Sequence, residues 1–266
     1  MSKAIALGIA GVTVSFAMLA AGFVAGSRND LSAAPYGAGS GSPVLERAVS
    51  RGDVEAIVRA YLVENPEILT EMQAVLAQRE EEQQRLALLE AIGSSSDTIF
   101  NAAYDGVVGN PDGSTTVVEF FDYNCGYCKR AYEDMAAMVA EDADLRFVLK
   151  EFPILGPDSQ RAHIVSMAFR ALAPEKYGEF HRTLLTGGRA TEAAAIATAV
   201  GLGVDEAALR EEMKNPAIAD AFNETYELAS RLAITGTPSY VVGKEVVFGA
   251  LGKAVLKEKV ELARAG

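Results

Sequence analysis

The sequence predicts an α/β protein whose sheet is interrupted by a long helical insertion and preceded by an N-terminal helical region. Two apolar stretches rich in β-branched and aromatic residues, 115–122 and 145–155, flank a helical segment, and this β–α–β order is typical of a parallel strand pair. An all-helical stretch of about 157–233 follows. A short hairpin and a last helix of about 251–264 then complete the predicted domain.

The N-terminal run from Ala4 to Gly26 carries no charge. A helix that spans a bilayer needs about 20 residues, so the run is long enough to be a membrane anchor. Its small residues around 21–27 are also compatible with cleavage, so residues 1–26 are predicted to be a signal peptide or a membrane anchor. In both cases we expect a periplasmic protein, either secreted after signal cleavage or tethered to the inner membrane by residues 4–26.

Residues 27–43 are rich in Gly, Ser, Ala and Pro and lack an apolar period, which is typical of a flexible linker. Residues 44–94 are predicted to be helical. Asp53 is a candidate cap for the first helix, and Asn65-Pro66 form a start signal for a longer helix that reaches Ile92.

The N-terminal helical region has a partial heptad pattern. Leu62, Leu69 and Leu76 recur every seven residues, but the series degrades at Arg79 and Gln83. Two interpretations are open: an amphipathic hairpin that packs on its own domain, or a helical stalk that self-associates.

Residues 95–266 are predicted to form a second domain. We expect a short strand and the strand 115–122 to form a hairpin around a turn at 110–113, and the following helix to end near Ala140. A later hairpin is expected to turn at Gly243-Lys244. The candidate helix N-caps within the insertion are Ser159, Thr191 and Asp205.

The formal net charge of −12 argues against a nucleic-acid partner and against a role on anionic lipid, because both need a cationic surface. No basic run interrupts the acidic balance. We therefore expect no nucleic acid among the partners.

The chain has two cysteines, Cys125 and Cys128, in a Cys-Gly-Tyr-Cys motif, and three uses of the pair can be compared. A zinc site needs about four ligands, and the two histidines, His163 and His181, lie far off in the helical insertion. A structural disulfide across two residues closes almost no loop and adds little stability. The third use is a reactive redox pair.

The position of the motif favours the redox pair. Cys125 falls where a predicted strand ends and a helix begins, so backbone N–H groups and the helix dipole would stabilise its thiolate. Cys128, one turn into the helix, is placed to attack a mixed disulfide at Cys125. A CxxC pair beside a β–α–β pattern is a thioredoxin-like signature.

Three other positions are candidate site residues. Glu119 lies in the middle of an apolar strand, where a buried carboxylate must be paired, neutral or in use as a proton acceptor. Lys150 directly follows the apolar stretch LRFVL on the neighbouring predicted strand and is a candidate partner; alternatively, Glu119 lies at a sheet edge and Lys150 in solvent. Thr237-Pro238 begins a later strand, where proline removes no ladder hydrogen bond.

Two sequence stretches together resemble the DsbA-like branch of the thioredoxin superfamily over about residues 95–266. These are VVEFFDYNCGYCKR and, after the helical insertion, TGTPSYVVG. The upstream stretch VRAYLVENPEILTEM resembles the N-terminal region of the ScsC-like (suppressor of copper sensitivity) proteins of that branch.

The resemblance implies a thioredoxin fold with an inserted helical domain. It implies that Cys125 is the exposed nucleophile and Cys128 the resolving thiol. It also implies that Pro238 is cis and packs against the disulfide, and that Thr237 beside it shapes substrate binding.

The resemblance further implies that Glu119 and Lys150 form a buried charged pair that handles the proton of the resolving thiol. The dipeptide Gly126-Tyr127 departs from the Pro-His of the DsbA oxidases, and a less stabilised thiolate makes a weaker oxidant. The same Gly-Tyr, with Thr before the cis-proline, is found in DsbC-type isomerases. ScsC-like relatives can be trimers.

The sequence therefore predicts an exported thiol:disulfide oxidoreductase that acts on protein disulfides, with isomerase or reductase as the first choice. The alternative is a monomeric DsbA-like dithiol oxidase. The expected partners are protein substrates with cysteines, a membrane or periplasmic redox partner, and two further copies in a homotrimer joined by the N-terminal helices. No cofactor is expected.

A function of another class is also compatible with the motif. A periplasmic protein could bind Cu(I) between the thiolates of Cys125 and Cys128, since soft thiolates suit Cu(I). No Met or His cluster adjoins the pair in the sequence to complete such a site.

Overall fold

A computed structural model describes residues 50–265, which fall into two compact units. The first contains helix α1 (Arg51–Glu64), and the second contains all described residues from Asn65 onwards. The predicted signal peptide or anchor and the predicted linker lie outside the described residues. Within residues 50–265, no helix combines the length and the apolarity needed to cross a membrane.

Helix α1 buries none of its residues. Ser50 caps it, rather than the predicted Asp53: the Asp53 N–H donates to the Ser50 hydroxyl oxygen at 3.2 Å, and the Asp53 carboxylate accepts the Ser50 N–H at 3.1 Å. This reciprocal arrangement is a capping box, in which the acid stands in the first turn. Apolar side chains of the helix remain exposed, namely Val54, Ile57, Val58, Tyr61, Leu62 and Val63.

Helix α2 (Glu67–Ser94) follows the predicted Asn65-Pro66 start signal and ends slightly beyond the predicted Ile92. Its C-terminal end joins the core of the second unit, where Ile92 is buried with Ile99 of the short helix α3 (Ser96–Phe100). Its earlier apolar side chains are exposed, namely Leu69, Met72, Val75 and Leu76.

The second unit contains a five-stranded sheet of order β1-β3-β2-β4-β5. The strands are β1 (Gly106–Gly109), β2 (Thr115–Phe121), β3 (Leu145–Glu151), β4 (Ser239–Val242) and β5 (Glu245–Phe248). Strands β2 and β3 pair in parallel, as the β–α–β order predicts, and β4 and β5 form the predicted hairpin. A mixed sheet with a parallel centre results.

The predicted hairpin between the first two strands is wrong, because β1 pairs antiparallel with β3 and not with β2. The turn after β1 is fastened to the start of β3. The Asn110 N–H donates to the Leu145 carbonyl at 3.0 Å, and the Asn110 side chain donates to the Ala143 carbonyl at 2.9 Å. In the sheet, β1 and β2 therefore lie on opposite sides of β3, although they follow each other in the chain.

Helices cover both faces of the sheet. Helix α4 (Gly126–Glu141) and helix α10 (Lys253–Ala265) belong to the α/β part. The insertion contributes α5 (Pro157–Leu172), a 3₁₀ turn (Pro174–Lys176), α6 (Tyr177–Thr186), α7 (Glu192–Gly201), α8 (Glu206–Glu212) and α9 (Pro216–Arg231). The fold is that of a thioredoxin-like domain with an inserted helical domain.

Alternation along the strands separates two apolar cores. Val117 and Phe121 of β2 face one core together with side chains of α4, α5, α6 and α10. Val118 and Phe120 face the other core together with side chains of α2, α3 and α9. Successive side chains of a strand point to opposite faces, so each residue of β2 belongs to one core only.

The predicted caps of the insertion are partly confirmed. Thr191 and Asp205 cap α7 and α8, since their side chains accept the N–H groups of Ala194 and Ala208. The third prediction is wrong, because Ser159 lies inside α5, is fully buried and is not a cap. Proline is favourable at the first helical position, so this helix starts earlier, at Pro157.

Candidate active site

The two cysteines lie where β2 is followed by α4. Cys125 is the N-cap residue of α4, with extended backbone (φ −75°, ψ 116°), and Cys128 lies in the first turn. The Cys125 N–H donates to the Asp122 carbonyl at 2.9 Å. Both cysteines are free thiols, and Cys125 is 6% exposed whereas Cys128 is 0% exposed. Cys125 is therefore the sulfur of the pair that an incoming disulfide can reach.

The surroundings shift the pKa values of the two thiols in opposite directions. The pKa of Cys125 is lowered to about 5, and the main cause is a hydrogen bond from the Cys128 thiol. Burial opposes this decrease. Hydrogen bonds from Thr237 and from the N–H groups of Cys128 and Tyr127 lower the pKa further. The hydrogen bond between the two thiols, then burial, raises the pKa of Cys128 far above its usual range. At neutral pH Cys125 is a thiolate and Cys128 is protonated.

The loop before β4 lies against Cys125. The Thr237–Pro238 peptide bond is cis, as the resemblance implies, and the Cys125 sulfur lies 3.2 Å from the Thr237 carbonyl oxygen. The register explains this contact: Ser239 of β4 stands opposite Phe120 of β2 in an antiparallel pair, so the residues before β4 lie beside those that follow β2.

Glu119 lies on the sheet face that carries the cysteines. It is 3% exposed and stands in register with Leu149 on one side and Tyr240 on the other. Burial, and after it the negative charge of Cys125, raises the pKa of Glu119 to about 8. Among residues 50–265, no Lys or Arg forms an ion pair with this carboxyl group, so it holds a proton at neutral pH.

The predicted pairing of Glu119 with Lys150 is wrong. In the parallel register Glu119 aligns with Leu149 and Lys150 with Phe120, so the two side chains project from opposite faces of the sheet. Lys150 is fully buried, and its Nζ lies 2.5 Å from an Asp105 carboxylate oxygen. Burial raises the pKa of Asp105 to about 7 and lowers that of Lys150. The partner of Lys150 is therefore a carboxylate remote from the cysteines.

The residues within and just after the motif face outwards. Tyr127 is 61% exposed, and the Arg130 guanidinium lies 4.3 Å from the centre of its ring. Gly126 leaves open space where a Cβ would stand. The Lys129 ammonium group donates to both carbonyls of Gly187–Gly188, at 3.0 and 2.5 Å. Both cations beside the motif thus have partners other than the Cys125 sulfur.

A buried polar network beside the cysteines was not predicted from the sequence. Asp122 and Asn124 bond to the segment before α5 and to the insertion. The His163 Nε2 accepts the Tyr123 N–H at 3.1 Å, and its Nδ1 bonds to the Glu151 carboxylate. A signal was available, because Asp122 and Asn124 are small polar residues in an otherwise apolar and aromatic run that leads into the motif.

The metal alternatives gain no further ligands from the described residues. Within residues 50–265, no three His, Cys, Asp or Glu side chains form a cluster suited to a metal ion. His163 and His181 are buried in the insertion, and burial lowers the pKa of His181 to about 3. A Cu(I) ion at Cys125 and Cys128 would have two sulfur ligands from this part of the chain.

Two family descriptions match the chain. Residues 116–261, more than half of the chain, match the DSBA-like thioredoxin domain. Residues 51–83 match the copper resistance protein ScsC N-terminal domain.

Known proteins are similar to the chain over the same regions. Disulfide bond formation protein D of Bacillus subtilis (strain 168) is 25% identical over 167 residues, which cover 58% of this chain and 75% of that protein. A thioredoxin-like oxidoreductase from Silicibacter pomeroyi DSS-3 is 37% identical, with a TM-score of 0.61 over 64% of this chain and 98% of its own. A linker-deletion mutant of Proteus mirabilis ScsC is 25% identical, with a TM-score of 0.63 over 84% of this chain and 99% of its own.

Proposed function

Because the chain belongs to the DSBA-like thioredoxin family of thiol:disulfide oxidoreductases, we propose that it acts on the disulfides of periplasmic proteins through Cys125 and Cys128, chiefly as an isomerase or reductase. One observation carries thiol:disulfide exchange as the reaction: a nucleophile whose pKa is about 5 lies beside a buried thiol whose pKa is raised. The preference for isomerase or reductase rests on the Gly126-Tyr127 dipeptide and on Thr237 before the cis-proline. A thiolate that persists at neutral pH both attacks disulfides and leaves from them readily.

In the first step the Cys125 thiolate attacks one sulfur of a substrate disulfide. A bond forms between Cys125 and that sulfur, the substrate S–S bond breaks, and the other substrate sulfur leaves as a thiolate that takes a proton from water. The Thr237–Pro238 loop, which contacts the Cys125 sulfur, is the surface on which the substrate backbone would lie.

The mixed disulfide has two outcomes. In isomerisation, another substrate thiolate attacks the substrate sulfur, and Cys125 leaves as a thiolate with the oxidation state of the pair unchanged. In reduction, Cys128 loses its proton and attacks the Cys125 sulfur, the substrate leaves as a second thiol, and the pair becomes a disulfide. A periplasmic or membrane redox partner must then supply two electrons to reset the pair.

Glu119 is the proposed acceptor of the Cys128 proton. The Cys125 thiolate helps to keep the Glu119 carboxyl protonated in the resting site. Formation of the mixed disulfide removes that negative charge, so the pKa of Glu119 falls and the carboxyl can ionise. The base therefore becomes available at the step that needs it. Lys150 lies on the other sheet face and has no part in this transfer.

Self-association through α1 would favour isomerisation over simple oxidation. Five of its exposed apolar residues follow helical spacing and form one stripe, which we call the α1 stripe: Val54, Ile57, Val58, Tyr61 and Leu62. An exposed apolar stripe of this kind is typical of an association surface. We propose that it joins three copies, so that several active sites meet one misfolded substrate.

The proposal is tested by refolding of a scrambled-disulfide protein at matched active-site concentration. The parent comprises residues 43–266, and the Ile57→Asp variant adds a charge to the α1 stripe. Ala56→Asp adds the same charge on the opposite side of the helix and is the control. We expect the parent and the control to isomerise as trimers, and Ile57→Asp to be monomeric and to isomerise poorly. If the parent is itself monomeric and isomerises no better than Ile57→Asp, the proposal that α1 joins three copies is wrong.

A second candidate is a monomeric DsbA-like dithiol oxidase, and the low pKa of Cys125 favours it. A stabilised thiolate makes the reduced pair stable and its disulfide more oxidising. If the disulfide form rapidly oxidises a fully reduced protein, and no form isomerises the scrambled one, the oxidase is the correct function.

A further inference from the structure

Asp122 is a buried carboxylate next to the active site. It is 0% exposed, and among residues 50–265 no Lys or Arg forms an ion pair with it. The nearest basic ring is that of His163, whose Nε2 is 4.0 Å away. That nitrogen accepts the Tyr123 N–H and so carries no proton of its own. A charge in such a place persists only if hydrogen bonds replace its water shell.

Four donors supply those hydrogen bonds. One carboxylate oxygen of Asp122 accepts the Asn124 N–H and the Ser159 hydroxyl, both at 2.8 Å. The other accepts the N–H groups of Ile154 and Leu155, at 2.9 and 3.0 Å. The carboxylate thus ties together the strand that leads to Cys125, the segment after β3 and the first turn of α5.

The network continues from Ser159 to the insertion. The Asn124 side-chain NH₂ donates to the Ser159 oxygen at 3.0 Å and to the Ala190 carbonyl at 2.9 Å. The Asn124 side-chain oxygen accepts the Ala190 N–H at 2.9 Å. The residue directly before the nucleophile is therefore fixed to the loop that precedes α7.

The segment held by Asp122 presents apolar side chains to solvent. Ile154 is 37% exposed and Leu155 is 51% exposed, although their backbone N–H groups are anchored on a buried carboxylate. We call these two residues the apolar ledge. An unfolded protein offers apolar side chains near its disulfides, whereas a small disulfide such as oxidised glutathione does not.

We propose that Asp122 is a positioning residue. It holds the apolar ledge directly, and through Ser159 and Asn124 it holds the loop at Ala190 that precedes α7. Both segments are thereby kept beside Cys125, so that unfolded protein substrates can dock. The inference rests on the proposed function and adds to it a residue that positions the surface beside the nucleophile. It predicts that the loss of Asp122 weakens the binding of protein disulfides and leaves the intrinsic reactivity of Cys125 intact.

The test compares Asp122→Asn with Asp220→Asn, in which an exposed acid of α9 loses the same charge. An amide presents NH₂ where one carboxylate oxygen accepted two donors, so one pair of hydrogen bonds is lost. We expect KM for a scrambled protein to rise about tenfold in Asp122→Asn, because a hydrogen bond to a charged group is of that order. We expect kcat, and the rate with oxidised glutathione, to stay within about twofold of the parent, as for a neutral surface change.

An equal loss of rate with the protein and with glutathione would overturn the proposal, because it would place the effect on the thiolate itself. An unchanged KM would also overturn it. If the parent itself processes no protein disulfide, the proposed function is wrong. Amide hydrogen exchange then tests separately whether Asp122 anchors the N–H groups of Ile154 and Leu155.

Amide hydrogen exchange reads the anchoring without turnover. Exchange at Ile154 and Leu155 is expected to be at least about tenfold faster in Asp122→Asn than in Asp220→Asn, because the acceptor that protects both amides is disturbed. Ser159→Ala is a milder variant that remains informative if Asp122→Asn does not fold. It is expected to speed exchange at Ala190 while the ledge stays protected. Unchanged exchange at these amides in both variants would overturn the proposal.

Discussion

The largest cause of the low pKa of Cys125 is a hydrogen bond from one neighbouring side chain. The Cys128 thiol donates to the Cys125 sulfur, and burial works in the opposite direction. The cationic side chains beside the motif have other partners: Lys129 bonds to backbone carbonyls and Arg130 stacks on Tyr127. At the scale of the residue, thiolate stability here therefore depends on a neutral donor.

We predict that Cys128→Ala raises the pKa of Cys125 from about 5 towards the ordinary thiol value of about 8.5, because the principal donor is lost. Thiolate absorbance near 240 nm, followed against pH, measures the change. Cys128→Ser is the matched control, since its hydroxyl still donates and should keep the pKa low. A pKa that stays near 5 in Cys128→Ala would show that the backbone N–H groups and Thr237 suffice.

We predict that Glu119→Gln stabilises the reduced protein at pH 8 and not at pH 4. The folded pKa is raised from 4.5 to about 8, so between these values the folded state binds more protons than the unfolded state, and the wild type loses stability as the pH rises. The amide has no such loss, and the difference above pH 8 is on the order of a few kcal/mol. Urea unfolding at several pH values measures it. Glu133→Gln, an exposed change on α4, should follow the wild type.

At the scale of the element, the strand pairing decides which charged residues meet. The apolar strand that contains Glu119 and the strand that contains Lys150 were predictable from composition, and so was their parallel pairing. The register of this pairing was not predictable. Whether Leu149 or Lys150 stands beside Glu119 depends on the offset between the two strands along their length. Composition alone does not encode that offset.

The same limitation explains the other differences between sequence and structure. A turn signal at Asn110 correctly predicted a reversal, but the strand that β1 pairs with is set by hydrogen bonds to β3, far along the chain. The CxxC motif was predictable because it is a local pattern, whereas the cis-proline loop was expected only from the family resemblance. The network around Asp122 joins segments that are distant in sequence, so the local pattern marks Asp122 and Asn124 as unusual but does not identify their partners.

We predict that Lys150→Met destabilises the protein by about 3 kcal/mol, because it leaves the buried Asp105 carboxylate without its partner. The pKa of Cys125 should not change, since the lysine lies on the other sheet face. Thermal unfolding and the thiolate titration measure the two effects. The double variant Asp105→Leu/Lys150→Met should recover part of the stability. A raised Cys125 pKa in Lys150→Met would show that the lysine acts on the active site after all.

At the scale of the whole molecule, the described chain has two units. One contains α1, which has no buried residue, and the other contains both apolar cores. The end of α2 contributes Ile92 to the second unit. The stability of the redox domain should therefore not depend on α1, although its assembly would.

We predict that a form comprising residues 65–266 has a Tm within a few degrees of the parent, since α1 buries none of its own residues. Its rate with a small disulfide should match that of the parent, and its isomerisation of a scrambled protein should fall to the level of Ile57→Asp. Calorimetry and refolding assays measure these properties. A large drop in Tm would show that α1 supports the second unit.

The sheet is a single layer thick, and a buried acidic side chain lies on each side of it. Burial, and after it the negative charge of Cys125, raises the pKa of Glu119 to about 8. Burial also raises the pKa of Asp105 to about 7, and Lys150 opposes that rise. Oxidation of the cysteines removes a charge on one side only. An infrared difference spectrum between the oxidised and reduced protein at neutral pH should therefore contain the carbonyl stretch of one carboxylic acid, while the vibration of the acid behind the sheet cancels.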